Sequence, residues 1–325
     1  MLRKICVYGT VYNNAPTVEE SIKSVWKPEY EIVVVDNYST DGTWEKLLEL
    51  RKEYNLRAYR YRCSRGLGRN IALHMCPENS ITAYFDLHTR YNYAYHKIIE
   101  ASQAYGSMSA PGLVVVEKEF AIRRGGWRDL NAGEDSDFAV KIYPRAHVPV
   151  IVGENASPGL APIWREKRYA KTLLKYVKRL VKIHLDSSIA YGLNPYNLLM
   201  MGSKRLTILS PLLLPYARFM RVRNYYDALP TFSVDYLERL SRIIPPREVG
   251  IGEDLFLLYI DYLACRVVNE CSTLDEMVKT IVSPPIIKLE GLSKTYWKTY
   301  FKSLDHLFMA IQQGLVKRGR ISVVT

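Results

Sequence analysis

Three apolar runs near the N-terminus each end in side chains able to hold a polar ligand. Thr10, Tyr12 and Asn13 follow the run at 5–8, Asp36 and Asn37 follow 32–35, and Asp86 and His88 follow 81–85. In an open parallel sheet, ligands bind outside the carboxyl ends of the strands, so these positions would bring acids, amides and hydroxyls to one edge. A further acidic pair, Glu134-Asp135, comes shortly after a Gly125-Gly126-Trp127 turn. On its own such a pair also suits a helix N-terminus, whose dipole favours negative charge.

The elements that would carry these residues alternate. Strand-like runs at 5–8, 32–35, 56–61 and 81–85 are separated by helical patterns at 17–26, 43–54 and 67–75. That order predicts parallel strands joined by right-handed helical crossovers. Thr17 and Glu20 have the spacing of a capping box, and Ser39, Thr40 or Asp41 can cap the second helix. Another strand-like run at 113–116 precedes the glycine-rich turn, and a short helix is expected to start near Glu134. Beyond about residue 158 the pattern changes to long helical stretches broken by prolines. The chain therefore divides into an α/β domain over 1–156 and a basic, mainly α-helical region over 157–325.

A chain of 325 residues with 48% hydrophobic content can bury a sizeable core, which excludes a disordered protein. The net charge of +12 favours a phosphate-rich partner: nucleic acid, anionic lipid or a diphosphate-linked small molecule. The five cysteines are scattered and form no CxxC pair, so reduced thiols in a cytoplasmic protein are the simplest expectation. No apolar stretch reaches the ~18 residues of a spanning helix.

The ordered strings TVYNNAPTVEESIKSV, VVDNYSTDGT, the GLGRN turn at 66–70, YFDLHT and GGWRDLNAGEDSDF resemble the family 2 glycosyltransferases of the GT-A fold, over about the first 145 residues. The resemblance implies a Rossmann-like, mostly parallel sheet flanked by helices and a nucleotide-sugar donor, UDP- or GDP-linked. It places Thr10, Tyr12, Asn13, Asp36 and Asn37 at the nucleoside, and Arg69, Asn70 and Asp86 at the diphosphate. Asn37 stands where an aspartate is usual, which leaves the preferred base open. Asp86-Leu87-His88 is similar to the family's DxD motif with histidine in the second place, so Asp86 and His88 would ligate a divalent ion. Imidazole suits manganese better than magnesium, so Mn2+ is favoured over Mg2+. Glu134-Asp135 looks like the family's ED pair, with Asp135 as general base and Glu134 beside it, and Trp127 is similar to the aromatic on the acceptor side. Inversion at the anomeric carbon is the family expectation. The 48 residues from Asp86 to Glu134 look short for the family. A second pair, Glu253-Asp254, lacks a preceding GGW turn and reads as a helix cap.

In the C-terminal half, residues 163–185 carry eight Lys or Arg against one acid, Glu166, with apolar residues at helical spacing. Such a basic amphipathic helix can lie on an anionic bilayer or pack on its own domain. With the apolar segments at 189–201 and 206–220, it is expected to give peripheral contact at the inner face of the membrane, suited to a lipid-linked or glycan acceptor. No nucleic-acid recognition motif is present, and no nucleic-acid partner is expected. The alternatives are a noncatalytic nucleotide-sugar or glycan-binding relative, or a basic membrane- or nucleic-acid-binding protein that retains the fold.

Overall fold

The computed structural model describes residues 3–148, 150–156, 182–183, 185–186, 190, 242–252 and 254–255. Most of the predicted basic and apolar segments of the C-terminal half lie outside these residues. Among the described residues no helix is long and apolar enough to cross a membrane.

The first elements follow the expected alternation: β1 (Ile5–Val11), α1 (Val18–Val25), β2 (Tyr30–Asp36), α2 (Thr43–Leu50), β3 (Leu56–Arg60), α3 (Arg65–Met75) and β4 (Ile81–Tyr84). Then come β5 (Thr89–Tyr91), α4 (Tyr93–Tyr105), β6 (Met108–Ala110), β7 (Leu113–Glu117), α5 (Lys118–Arg123), α6 (Glu134–Ile142), β8 (Ala146–His147), β9 (Gly153–Asn155) and β10 (Arg242–Ile243). Among the described residues the main sheet has eight strands in the order β10-β8-β6-β7-β4-β1-β2-β3, and β5 pairs with β9 beside it. Only β7 runs against its neighbours; the other pairings of the main sheet are parallel.

Both faces of the sheet are covered, which is why its central strands read as unbroken apolar runs rather than alternating ones. Val7, Ile32 and Val34 face one side with Val18 and Ile22 of α1, Leu47 of α2 and Ile98 of α4. Cys6, Tyr8, Val33 and Val35 face the other, with Leu73 of α3, Phe138 of α6 and Trp127. Each such side chain removed from water contributes about 1.5–3 kcal/mol, so this two-sided packing fixes the strand ends that carry the polar residues.

Local details depart from the sequence expectations in informative ways. Thr17 stands at the N-cap of α1 but makes no capping bond. Its hydroxyl donates instead to the Leu87 carbonyl at 2.8 Å, so the box with Glu20 does not form. Asp41 does serve α2, accepting the Thr43 N–H at 3.1 Å. The Gly66–Asn70 stretch is no turn but the start of α3, capped by Ser64, whose hydroxyl accepts the Leu67 N–H at 3.1 Å. Its glycines serve close approach: a Cβ at Gly66 would sit 2.0 Å from the Arg128 carbonyl oxygen, and one at Gly68 would sit 2.2 Å from Thr10 Oγ1.

Two larger corrections follow. Cys6 of β1 and Cys76 at the end of α3 form a disulfide, so the cysteines are not all reduced; Cys63 is free. The expected boundary after residue 156 also does not end the α/β domain. The chain returns at β10 to pair with β8, and Ile244, Val249, Ile251 and Leu255 join the core under the sheet. Leu185 and Ala190 likewise pack against Leu130.

Candidate active site

The parallel pairing of β1 with β2 and β4 puts Val11 opposite Asp36 and Tyr8 opposite Tyr84, so the three predicted strand ends do share one rim. The Asp86-Leu87-His88 turn after β4 is held by backbone contacts on every side. Asp86 N–H donates to the Tyr91 hydroxyl at 2.8 Å. The Leu87 carbonyl accepts from Asn14 Nδ2 at 2.9 Å and from Thr17 at 2.8 Å, and the His88 carbonyl accepts from Ala156 N–H at 2.9 Å. Asn14, Thr17 and Tyr91 thus fix the turn; in the sequence Thr17 reads only as a helix cap, and Asn14 and Tyr91 carry no signal.

The centre of the site is Arg69. Its guanidinium donates to Asp86 Oδ1 at 2.5 Å and to Glu134 Oε1 at 2.9 Å. It lies 4.8 Å from the Tyr84 ring centroid and 4.7 Å from that of Trp127. The Arg69 and Glu134 side chains are 2% and 1% exposed, whereas that of Asp86 is 36% exposed. Burial alone would make Arg69 easier to deprotonate, but Asp86 and Glu134 outweigh it and raise its pKa. For Asp86, burial pushes the carboxyl pKa up; the positive charges of Arg69, His88 and Arg65, with the Arg69 hydrogen bond, overcome this and lower it to about 2. Asp86 is therefore a carboxylate throughout the physiological range. Tyr84, beneath them, is held well above the usual phenol value, first by burial and then by Asp135 and Asp86.

One guanidinium therefore ties the turn after β4 to the first residue of α6. Glu134 also accepts from Arg65 at 3.1 Å, so both of its partners are cations. Asp135, the next residue, is exposed in the first turn of the same helix. The two acids differ in kind: one is locked inside a buried ion pair, and the other is exposed to solvent. Asp137 is buried as well, with Arg128 at 2.5 Å and Lys141 at 3.2 Å, which fastens α6 to the GGW loop.

Other predicted residues sit differently from expectation. Trp127 is 3% exposed, stacks on Phe138 at 4.1 Å and donates to the Tyr8 hydroxyl at 2.8 Å. It supports the site from within the core. Asn70 Oδ1 accepts the Trp127 N–H at 3.0 Å, which leaves its Nδ2 donors as what Asn70 offers a ligand, and the Arg69 guanidinium is engaged by two carboxylates. Asp36 is fully buried, accepting from Ser39 N–H at 3.1 Å and from Arg60 Nε at 2.9 Å; it organises the rim from below. Asn37 Oδ1 accepts the Cys63 N–H at 3.1 Å, which leaves the Nδ2 donors as what Asn37 offers a ligand.

Thr10, Tyr12 and Asn13 line the rim as partly buried residues. The Thr10 hydroxyl donates to the Val35 carbonyl at 3.0 Å, and Asn13 braces the next loop through Ser39 and Thr40. Asn13 and Tyr38 both have left-handed backbones, φ 50° and 53°, which non-glycine residues adopt at some cost. Tyr38 is exposed, and the guanidiniums of Arg60 and Arg62 lie 5.1 and 5.3 Å from its ring centroid.

This α/β architecture, with a mostly parallel sheet, helices on both faces and acids gathered at the carboxyl ends, is of the GT-A type. Residues 6–107 match the family model described as glycosyl transferase family 2, just under a third of the chain. Among solved structures, S. aureus TarS is 17% identical at a TM-score of 0.40, covering 68% of this chain and 54% of that one. TarS 1-349 in complex with UDP is 16% identical at a TM-score of 0.40, covering 68% of this chain and 89% of that one. The mannosyltransferase PcManGT from Pyrobaculum calidifontis, in complex with GDP-Man and Mn2+, is 17% identical at a TM-score of 0.41, covering 97% of this chain and 88% of that one. No curated protein matches. The family match ends before α6, so the placement of Glu134 and Asp135 rests on the structure itself.

Proposed function

We propose that the chain is a glycosyltransferase that moves a sugar from a UDP- or GDP-linked donor to an acceptor hydroxyl or lipid phosphate. The observation that carries this reading is the Arg69 guanidinium, joined at once to Asp86 and Glu134, because it puts the strand-end turn and the acid-bearing helix in one site. The nucleoside would lie along Thr10, Tyr12, Asn13 and Asn37 on the rim.

The residues fit a divalent ion held in part by the donor. Asp86 gives one carboxylate oxygen to Arg69 and is partly exposed, and His88 follows two residues later on the same pinned turn. No group of three metal-ligating side chains occurs among the described residues, so diphosphate oxygens and water would complete the shell. When bound, the ion supplies charge stabilisation to the leaving diphosphate, and the imidazole favours Mn2+ over Mg2+.

With a hydroxyl acceptor, Asp135 takes its proton as the oxygen forms a bond to the anomeric carbon. The bond from that carbon to the diphosphate oxygen breaks, releasing the nucleoside diphosphate. A direct displacement of this kind inverts the anomeric centre. Glu134, buried between two guanidiniums, keeps α6 in place and is unsuited to the proton transfer.

The acceptor side would adjoin the basic segment. Asn131 N–H donates to Asp186 at 2.8 Å, and Leu185 and Ala190 pack on Leu130, so the end of that segment docks just ahead of α6. Peripheral contact through 163–185 and 189–220 at the inner membrane face would bring a lipid-linked acceptor to this side. Transfer and donor hydrolysis by wild type, Asp86→Asn and Asp135→Asn, with a thermal-shift screen of nucleotide sugars, test the reading. Ligand-induced stabilisation by UDP- or GDP-sugars in wild type is expected. Full activity of Asp135→Asn would remove it as the base.

A further inference from the structure

We propose that Arg69 is a positioning residue that acts as a stand-in cation: in the ligand-free protein it bridges Asp86 and Glu134 and, with Arg65, offsets their charge, so that a divalent ion enters together with the diphosphate and not before it. This role rests on the proposed donor and metal site.

Arg69 is nearly inaccessible, so it cannot itself grip a ligand from solvent. It is clamped by the rings of Tyr84 and Trp127 and reaches one carboxylate on each side of the site, 17 residues ahead of it and 65 residues ahead of it in sequence. A planar guanidinium can bond two carboxylates and lie against aromatic faces at once, which an ammonium cannot. The clamp thus sets the separation between the Asp86 turn and the helix that carries Asp135.

It also sets the order of binding. A divalent ion arriving alone would meet the charge of Arg69, with Arg65 near it, beside a carboxylate whose Oδ1 is already engaged. A diphosphate brings the negative charge that offsets this repulsion. Removing the Arg69 charge would release Asp86 Oδ1 beside His88 and leave Glu134 with Arg65 alone, so the site would become more negative and hold a bare ion more tightly.

Free Mn2+ measured by electron paramagnetic resonance, with and without UDP or GDP, tests this in wild type, Arg69→Met and Arg69→Lys, with thermal melts as a fold control. Wild type is expected to take up Mn2+ at least tenfold more tightly with one of the nucleotides than without. Arg69→Met should bind Mn2+ alone at least tenfold more tightly than wild type while losing transfer; a merely structural defect would weaken Mn2+ binding. Arg69→Lys keeps the charge but not the span, so its Mn2+ affinity should stay within threefold of wild type while kcat falls tenfold or more at similar donor KM. A folded Arg69→Met with unchanged or weaker affinity for Mn2+ alone, or an Arg69→Lys with wild-type kcat, overturns the role of Arg69 only. If wild type takes up no Mn2+ with either nucleotide, the metal reading fails and this role with it.

Discussion

Glu134 and Asp135 are adjacent acids, yet the structure predicts opposite defects when each is changed. In Glu134→Leu the carboxylate that faces Arg69 at 2.9 Å is lost, and a guanidinium only 2% exposed keeps one partner, Asp86. Removing one member of a buried pair costs about 3–5 kcal/mol, and the surviving Asp86 contact puts this case near 3 kcal/mol. For a domain of this size that lowers Tm by roughly 6–12 °C, at about 2–4 °C per kcal/mol. Asp135→Asn changes an exposed side chain, so its stability should stay within about 0.5 kcal/mol of wild type. Its transfer rate should nonetheless fall by about 10²–10⁴, the usual contribution of a general base. Differential scanning fluorimetry and a donor-consumption assay on both variants provide the comparison. A Glu134→Leu protein that melts within 2 °C of wild type, or a stable Asp135→Asn protein with full turnover, would refute the division of labour.

Three other outcomes are expected. Burial lowers the His147 pKa from 6.5 to about 4 beside Ser109, so the histidine is neutral in the fold while the unfolded chain takes up a proton. Its contribution is full above the unfolded value and is lost as pH falls from 6.5 to about 4; denaturant titrations across that window should show a slope that His147→Gln removes. The Cys6–Cys76 bridge closes a loop with a separation of 70 residues. By loop-closure entropy it contributes about 4 kcal/mol, so a Cys6→Ala/Cys76→Ala protein should unfold at lower denaturant than oxidised wild type, and equal midpoints would count against the bridge. Replacing His88 by Asp should shift metal preference from Mn2+ towards Mg2+ in the transfer assay, and identical metal profiles would take His88 out of the coordination sphere.

The first four strands were legible because parallel strands buried on both faces read as continuous apolar runs ending in polar clusters. The reversed strand β7 was visible for the same reason, but its partner β6, only Met108–Ala110, is too short to show any period. Helix α4 carries a signal at its start: Asn92 caps it, accepting the Ala94 N–H at 3.0 Å. Asp86 and Asp135, the proposed ligand and base, stand out locally as acids after a strand and a glycine turn. The environment of Arg69 does not, since its partners are distant in sequence and an arginine beside glycines reads as exposed loop. The burial of Trp127 is equally hidden from the sequence: it depends on Tyr8, Tyr84 and Phe138, which come from three other elements. The pairing of Cys6 with Cys76 likewise depends on how β1 and α3 are brought together, which no spacing rule encodes.

The short strand β10 has a practical consequence for anyone producing a shortened protein. A fragment stopped after residue 156 would strip β8 of its outer neighbour and take Ile244, Val249, Ile251 and Leu255 from the apolar layer beneath it. Naked backbone donors and acceptors next to uncovered hydrocarbon invite self-association through strand addition. The α/β domain is thus spliced from two distant stretches of polypeptide, and only a design that retains 242–255 should stay monodisperse.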